Sequence, residues 1–97
     1  MLESGLEKKI RLFVQSQQGK AYKWVSPSEN GVPDRICIFP GGKIVFVELK
    51  RPGRKEGRSP RQKKVFQVLE KLGCHVWLIN DFEEFKRRLK EEGIIEI

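Results

Sequence analysis

The chain has 97 residues, a length at which we expect one domain over residues 1–97 with a single two-layer core. Apolar residues make up 38% and charged residues 34%, and no apolar run approaches the ~18 residues of a membrane span, so the composition is that of a soluble domain. The formal net charge of +7 favours a polyanionic partner. Because the first residues lack the apolar region of a secretion signal, an intracellular, cytoplasmic location is expected.

The first half of the chain predicts one helix and three strands. Apolar residues at three- and four-residue spacing predict a helix over residues 3–17. A short alternating segment, residues 21–26, predicts a strand. Residues 35–39 and 43–50 predict two further strands, and the Pro40–Gly42 segment between them is a hairpin signal.

The second half predicts a helix, a strand and a last helix. A Ser-Pro-x-Gln sequence begins a helix with its N-cap at Ser59, and Gly73 ends it. The continuous apolar segment 74–79 is typical of a strand in a sheet interior covered on both faces. A helix is predicted over 81–93, and the tail 94–97 either adds an edge strand or packs elsewhere. The order α-β-β-β-α-β-α predicts an α/β fold, a central mixed sheet flanked by helices.

Two cysteines, Cys37 and Cys74, lie in or beside apolar segments, where free thiols behave as small buried hydrophobes. A zinc site would need more ligands than these two residues and the single histidine, His75.

A basic segment follows the third strand: residues 50–64 contain eight basic residues and one acidic residue. Such a segment indicates either a polyanion-binding surface or a solvated loop, and its Gly and Pro content without an amphipathic pattern favours nucleic acid over a membrane. The candidates for phosphate contacts are Arg51, Arg54, Lys55, Arg58 and Lys63.

The hairpin places two acidic residues together. In the third strand alternate side chains share a face, so Glu48 and Lys50 point the same way. If Phe39 pairs with Lys43, Asp34 lies directly opposite Glu48. A two- or four-residue loop would instead put the two acids on opposite faces.

Directly opposed carboxylates repel each other, so a compensating charge is needed. A divalent cation bridging Asp34 and Glu48 provides it, and carboxylate oxygens with retained waters suit Mg²⁺. Lys50 is then placed to hold an attacking water or to stabilise charge on a phosphate. The alternative is that Glu48 and Lys50 form a plain surface ion pair.

Four motifs occur in order along almost the whole chain: G-V-P-D, V-E-L-K, S-P-R-Q and a terminal L-G of the second helix. Together they closely resemble the virus-type replication-repair nuclease (VRR-NUC) family of the PD-(D/E)XK, restriction-endonuclease-like superfamily. The resemblance implies cleavage of DNA phosphodiester bonds with Mg²⁺ or Mn²⁺ and no organic cofactor. In compact members it implies homodimers with a preference for branched DNA.

Carried onto this sequence, the resemblance implies that Asp34 and Glu48 bind the metal together with the backbone carbonyl of Leu49. Lys50 corresponds to the catalytic lysine and Gln62 to a glutamine near the site, although Gln62 also fits a capping box. The family has a further glutamate on the first helix. Glu7 is the preferred candidate for it, ahead of Glu3, and the alternative role of Glu7 is an exposed ion pair with Arg11 at i+4.

Two other functions compete with a structure-selective endonuclease. One is a non-catalytic basic module that binds nucleic acid and keeps the nuclease fold, although such a module has no need for two carboxylates beside a phosphate. The other is a sequence-specific restriction enzyme, but the chain is too short to carry an extensive base-reading element. The tail or an apolar helix face is the expected contact in a homodimer.

Overall fold

A computed structural model describes residues 3–50 and 59–96 of the chain. The predicted order of elements is confirmed. The three helices are α1 (Gly5–Ser16), α2 (Pro60–Lys71) and α3 (Phe82–Glu91), and the four strands are β1 (Lys20–Lys23), β2 (Arg35–Phe39), β3 (Lys43–Leu49) and β4 (His75–Ile79).

The strands form one mixed sheet in the order β1-β2-β3-β4. β1, β2 and β3 are antiparallel neighbours, and β4 runs parallel to β3 after the α2 crossover. β1 is shorter than predicted because its pairing ends where β2 begins, at the pair Lys23 and Arg35. The prediction that residues 74–79 form an interior strand is wrong: in the described sheet, β4 is an edge strand. Its apolar sequence reflects cover by α2 on one face and α3 on the other.

The β2–β3 hairpin has the register that the sequence predicted. Phe39 pairs with Lys43 and Arg35 with Val47, across a three-residue loop. The loop glycines Gly41 and Gly42 have φ values of 88° and 73°, a region that residues with a Cβ rarely adopt. The two glycines therefore allow the tight turn that fixes the register.

α1 and α3 pack on one face of the sheet and enclose the main core. Ile10 and Val14 of α1 meet Val45 and Val47 of β3 in this cluster. α2 lies on the opposite face. Its residue Gln62 bonds the side chain of Glu48, which points away from the core side chains Val45 and Val47 because side chains alternate along β3. The sheet is therefore enclosed between helices near β4.

Serine residues set the starts of α1 and α2. Ser4 accepts a hydrogen bond from the Glu7 amide, and Ser59 accepts one from the Gln62 amide, and in both cases the third helical residue bonds back to the cap. These are capping boxes, which satisfy amides that the first helical turn leaves unpaired.

The C-terminal tail packs rather than adding a strand within the described residues: Ile94 is buried in the core and Ile95 packs against it. Cys37 is also buried in the core, and burial raises the pKa of its thiol to about 12. It is an unreactive core residue, as predicted. Within 3–50 and 59–96, none of the helices has the length and hydropathy needed to cross a membrane.

Ile10→Ala should lower the free energy of unfolding by about 2–5 kcal/mol, because Ile10 is fully buried between α1 and the sheet. Leu12→Ala on the same helix is the matched control, since Leu12 is 47% exposed, and should change it by less than about 1 kcal/mol. Urea denaturation of both variants measures the difference. Equal effects would contradict the packing of α1 described above.

Candidate active site

The candidate active site lies where the start of β2 meets the end of β3. In an antiparallel hairpin these two ends are neighbours, and the observed register, continued by one residue, places Asp34 opposite Glu48. The sequence-predicted pair is therefore brought together. Lys50 follows β3 directly, and its Nζ lies 3.5 Å from Oε2 of Glu48.

Asp34 is held at the edge of the sheet by the backbone around it. Its Oδ2 accepts a 2.8 Å hydrogen bond from the Leu49 amide, and its carbonyl oxygen accepts one of 2.9 Å from the Trp24 amide. The bond from Trp24 continues the β1–β2 ladder by one residue, and the bond from Leu49 fixes the Asp34 carboxylate against the end of β3. The Asp34 side chain is nonetheless exposed, so one side of its carboxylate faces solvent.

Glu48 is the most unusual group in the site because it is a carboxylate with only 5% exposure. Its Oε2 accepts a 2.5 Å hydrogen bond from Nε2 of Gln62. Its Oε1 is buried and has no hydrogen-bond partner among the described residues. Buried polar atoms are rarely left unpaired, so this oxygen indicates a position for a ligand.

The environment of Glu48 disfavours its negative charge. Burial and then the nearby charge of Asp34 raise the pKa of Glu48, and the hydrogen bond from Gln62 and the charge of Lys50 offset this only in part. The surface ion pair considered for Glu48 and Lys50 does not describe this geometry, because Glu48 is buried.

Gln62 lies in the capping box and also beside the candidate site, as the sequence suggested. Its Oε1 accepts from the Ser59 amide in the capping box while its Nε2 donates to Glu48. The G-V-P-D loop packs closely here: a Cβ on Gly31, whose φ is +86°, would lie 3.0 Å from the backbone of Arg61 and Gln62. Gly31 therefore permits the approach that brings Gln62 to the site.

Glu7 pairs with Arg35 and not with Arg11, the partner that the sequence suggested. Its Oε2 accepts a 2.8 Å hydrogen bond from Nε of Arg35, and Arg11 pairs with Glu3 instead, so the i,i+4 pair of Glu7 and Arg11 is not formed. Glu7 borders a cleft of about 490 Å³ that Asp34 and Lys50 also line.

Within the part of the chain that the structure describes, no group of three or more His, Cys, Asp or Glu side chains is arranged to hold a metal. The carboxylates of Asp34 and Glu48 are thus the closely placed pair, and Glu7 stands apart from them. Glu7 as a metal ligand and the Leu49 carbonyl as a further donor both stay predictions.

The predicted phosphate contacts are only partly visible. Lys63 is exposed on α2, beside exposed Arg61 and Lys64. The other four candidates, Arg51, Arg54, Lys55 and Arg58, lie outside the described residues.

Arg35 is a residue that the sequence reasoning missed. It is 5% exposed, donates to Glu7 and Glu3, and also bonds the carbonyl of Ala21. The alternation of side chains along β2 could have indicated that Arg35 is buried, because Arg35 shares the face of the buried Cys37. A charged residue in the inward-facing set of a strand requires a buried partner.

Comparison with known proteins agrees with this geometry. The phage protein named "Putative nuclease p44", from Acyrthosiphon pisum secondary endosymbiont phage 1, is 42% identical over 78 residues, which cover 80% of this chain and 82% of that protein. A solved structure described as "VRR_NUC domain" matches with a TM-score of 0.81 at 26% sequence identity, over 92% of this chain and 94% of that one. No model of a protein family matches the chain.

Fold and relatives agree on the restriction-endonuclease-like class of nucleases. The resemblance carried by the four sequence motifs is confirmed, and the chain belongs to the virus-type replication-repair nuclease (VRR-NUC) family.

Without metal, Glu48→Gln should stabilise the protein at neutral pH. Folding raises the pKa of Glu48, so the stability that its protonated form contributes is complete below the ordinary value of 4.5 and is lost as the pH rises through the raised value. The uncharged amide avoids this loss. The gain in the free energy of unfolding should therefore be largest near pH 7 and shrink as the medium becomes acidic.

Urea denaturation with a chelator, from about pH 4 to pH 8 so as to span the ordinary carboxyl pKa, measures this difference. Glu91→Gln, which alters an exposed ion pair with Arg87, is the control and should show little pH dependence. A Glu48→Gln variant less stable than wild type at pH 7 would contradict the account.

Proposed function

We propose that the protein is a Mg²⁺-dependent endonuclease that hydrolyses phosphodiester bonds in DNA, with Mn²⁺ able to replace Mg²⁺. The observation that carries the proposal is the buried Glu48 carboxylate, whose Oε1 has no partner within residues 3–50 and 59–96 and which lies opposite Asp34. A carboxylate so placed is costly in a protein without a ligand, because both burial and the neighbouring charge oppose its ionised form.

The donor set fits Mg²⁺. Two carboxylates, one of them partly open to solvent, leave most coordination positions to water, and Mg²⁺ in proteins usually keeps several waters. Oε1 of Glu48 and the solvent-facing side of Asp34 would hold the ion, and the carbonyl of Leu49 between Glu48 and Lys50 is a further candidate donor. The hydrogen bonds to Asp34 and Glu48 from Leu49 and Gln62 would orient the two carboxylates.

The protein groups around the proposed Mg²⁺ position, Lys50 and Gln62, fit phosphodiester hydrolysis. A bound Mg²⁺ would favour deprotonation of water and offset charge on the phosphate. Lys50 pairs with Glu48 in the structure, and its ammonium group would turn to a phosphate oxygen or orient the attacking water. Gln62 keeps Glu48 in place from the opposite side while the helix cap holds Gln62 itself.

DNA is the proposed substrate because the chain carries a net charge of +7. Exposed Arg61, Lys63 and Lys64 lie on the first two turns of α2, next to Gln62. Cations at these positions would contact phosphates and contribute affinity with little reading of sequence. A purely binding module is less well supported, because two opposed carboxylates would repel the DNA backbone in the absence of a cation.

Lys50→Met should lower the cleavage rate by about 10²–10³-fold, because it removes a positive group from the phosphate. Asp34→Asn should lower the cleavage rate by more than the loss of an outer metal partner, which costs roughly 10- to 100-fold, because Asp34 is proposed as a direct ligand. Both variants should bind DNA nearly as well as wild type. Rates on branched and linear DNA, with Mg²⁺ and with chelator, measure these effects, together with binding in a gel-shift assay.

Lys71→Met is the matched control for Lys50, since Lys71 is exposed at the far end of α2. It should cleave at the wild-type rate. Metal-independent cleavage, or no cleavage of any DNA by the wild-type protein, would sink the proposed activity. Equal rates on four-way junctions and simple duplexes would contradict only the preference for branched DNA that the family resemblance implies.

We also propose that the active form is a homodimer. The face of the sheet that carries α2 is exposed over β1–β3, where the side chains of Tyr22 and Ile44 are 49% and 41% exposed. Leu72, just past α2, is 74% exposed. The tail is a poorer contact than the sequence suggested, since Ile94 is buried in its own core.

Ile44→Asp should shift the protein from dimer to monomer in sedimentation equilibrium, because it places a charge in the proposed apolar contact. The control Val25→Asp changes a residue that is 81% exposed and follows β1, and it should leave the dimer intact. A wild-type monomer at every concentration, or an Ile44→Asp dimer, would reject this interface.

A further inference from the structure

Arg35 is a buried cation that joins α1 to the sheet at the edge of the active site. Its side chain is 6% exposed, and three of its five donors have partners in the described part of the chain. Nε donates to Oε2 of Glu7 at 2.8 Å, Nη2 to Oε2 of Glu3 at 3.1 Å, and Nη1 to the carbonyl of Ala21 at 3.1 Å. One side chain thus connects α1, β1 and β2.

The position of Arg35 links these contacts to the site. It is the first residue of β2 and directly follows Asp34, so its backbone pairs with Lys23 on one side and Val47 on the other. Its side chain points to the face of α1, away from Glu48. Arg35 therefore fixes the strand end that carries Asp34 and at the same time binds the carboxylate of Glu7.

Glu7 borders the cleft together with Asp34 and Lys50. Its strong contact is the one to Arg35, through Oε2. Among the described residues, the other oxygen, Oε1, accepts only a 3.4 Å bond from the Ser4 amide. Without Arg35, the long glutamate side chain at the start of α1 would have no charged partner among its described contacts and would lose its fixed direction.

We propose that Arg35 is a positioning residue for the metal site: it holds the Glu7 carboxylate at the edge of the cleft, where Glu7 contributes to binding the divalent cation through water. The inference rests on the proposed metal-dependent activity. It assigns Glu7 an outer position, in keeping with the absence of a three-carboxylate cluster in the described part of the chain.

The guanidinium is the group that this role requires. It is planar and always charged, and its fixed donors reach Glu7, Glu3 and a strand carbonyl together. A lysine supplies the same charge from one nitrogen, so it cannot make this set of bonds in the same directions. Arg35→Lys therefore removes the positioning while it keeps the charge.

Glu3 provides a matched control. It binds the same guanidinium, but its Oε2 also accepts from Arg11, and Glu3 is not among the residues that line the cleft. Glu3→Gln therefore perturbs Arg35 without removing a carboxylate from the site. Glu7→Gln removes the carboxylate that the proposal places there.

The test is the affinity for Mn²⁺ without DNA, measured from the electron paramagnetic resonance signal of free Mn²⁺. Arg35→Lys and Glu7→Gln should each weaken binding about tenfold or more, the range found for outer partners of a metal site. Glu3→Gln should change it by less than about twofold, within the scatter of independent sites. With enough Mg²⁺, the cleavage rate of Arg35→Lys should return to the wild-type value.

A double variant tests whether Arg35 acts through Glu7. If it does, Arg35→Lys combined with Glu7→Gln should bind Mn²⁺ as Glu7→Gln does alone, within about twofold. If the two losses multiply, the residues act separately and the proposal is wrong. Wild-type Mn²⁺ affinity in Arg35→Lys would also overturn it.

The outcomes separate this inference from the proposed function. A wild-type protein that binds no Mn²⁺ refutes the metal site and the inference with it. A wild-type protein that binds Mn²⁺ while Glu7→Gln binds it equally well refutes the inference alone. Should Arg35→Lys fail to fold by circular dichroism, equal Mn²⁺ affinities of Glu7→Gln and Glu3→Gln would still refute the proposal, since only Glu7→Gln should weaken Mn²⁺ binding.

Discussion

The candidate active site is organised around the opposition of Asp34 and Glu48 across the β2–β3 hairpin. A buried carboxylate beside another carboxylate is unfavourable, and the burial and the charge of Asp34 both raise the pKa of Glu48. Lys50 and Gln62 reduce the cost without removing it, and Oε1 of Glu48 is left without a partner among the described residues. In the proposed function, a divalent cation would supply both the missing charge and the missing contact at a site for phosphodiester hydrolysis.

The surrounding structure keeps this unfavourable pair in place. The Gly41–Gly42 turn fixes the register, and a shift by one residue would send the two acids to opposite faces. The close approach at Gly31 brings the start of α2, and so Gln62, against Glu48. On the other face, Arg35 ties α1 to the strand end that carries Asp34. Each of these features gives up local freedom or favourable solvation, as is common at functional sites.

Local patterns in the sequence predicted the hairpin and much of the site. The register followed from a three-residue loop and strand alternation, and the capping contact of Gln62 followed from its position three residues after a capping serine. Its place beside Glu48 was implied by the family resemblance. The partner of Glu7 did not follow, since the candidate Arg11 is near in sequence whereas Arg35 is brought close only by tertiary packing. The edge position of β4 was missed for a related reason, because an apolar strand covered by two helices has the same pattern whether or not a further strand flanks it.

The position of Mn²⁺ in crystals soaked with the ion, located by its anomalous scattering, tests the proposed metal site most directly. A peak is expected within bonding distance of Oε1 of Glu48 and of the Asp34 carboxylate, with waters at most other positions and Glu7 beyond direct contact. A peak at the Glu3 and Glu7 carboxylates alone, or no peak near Glu48 at saturating Mn²⁺, would contradict it.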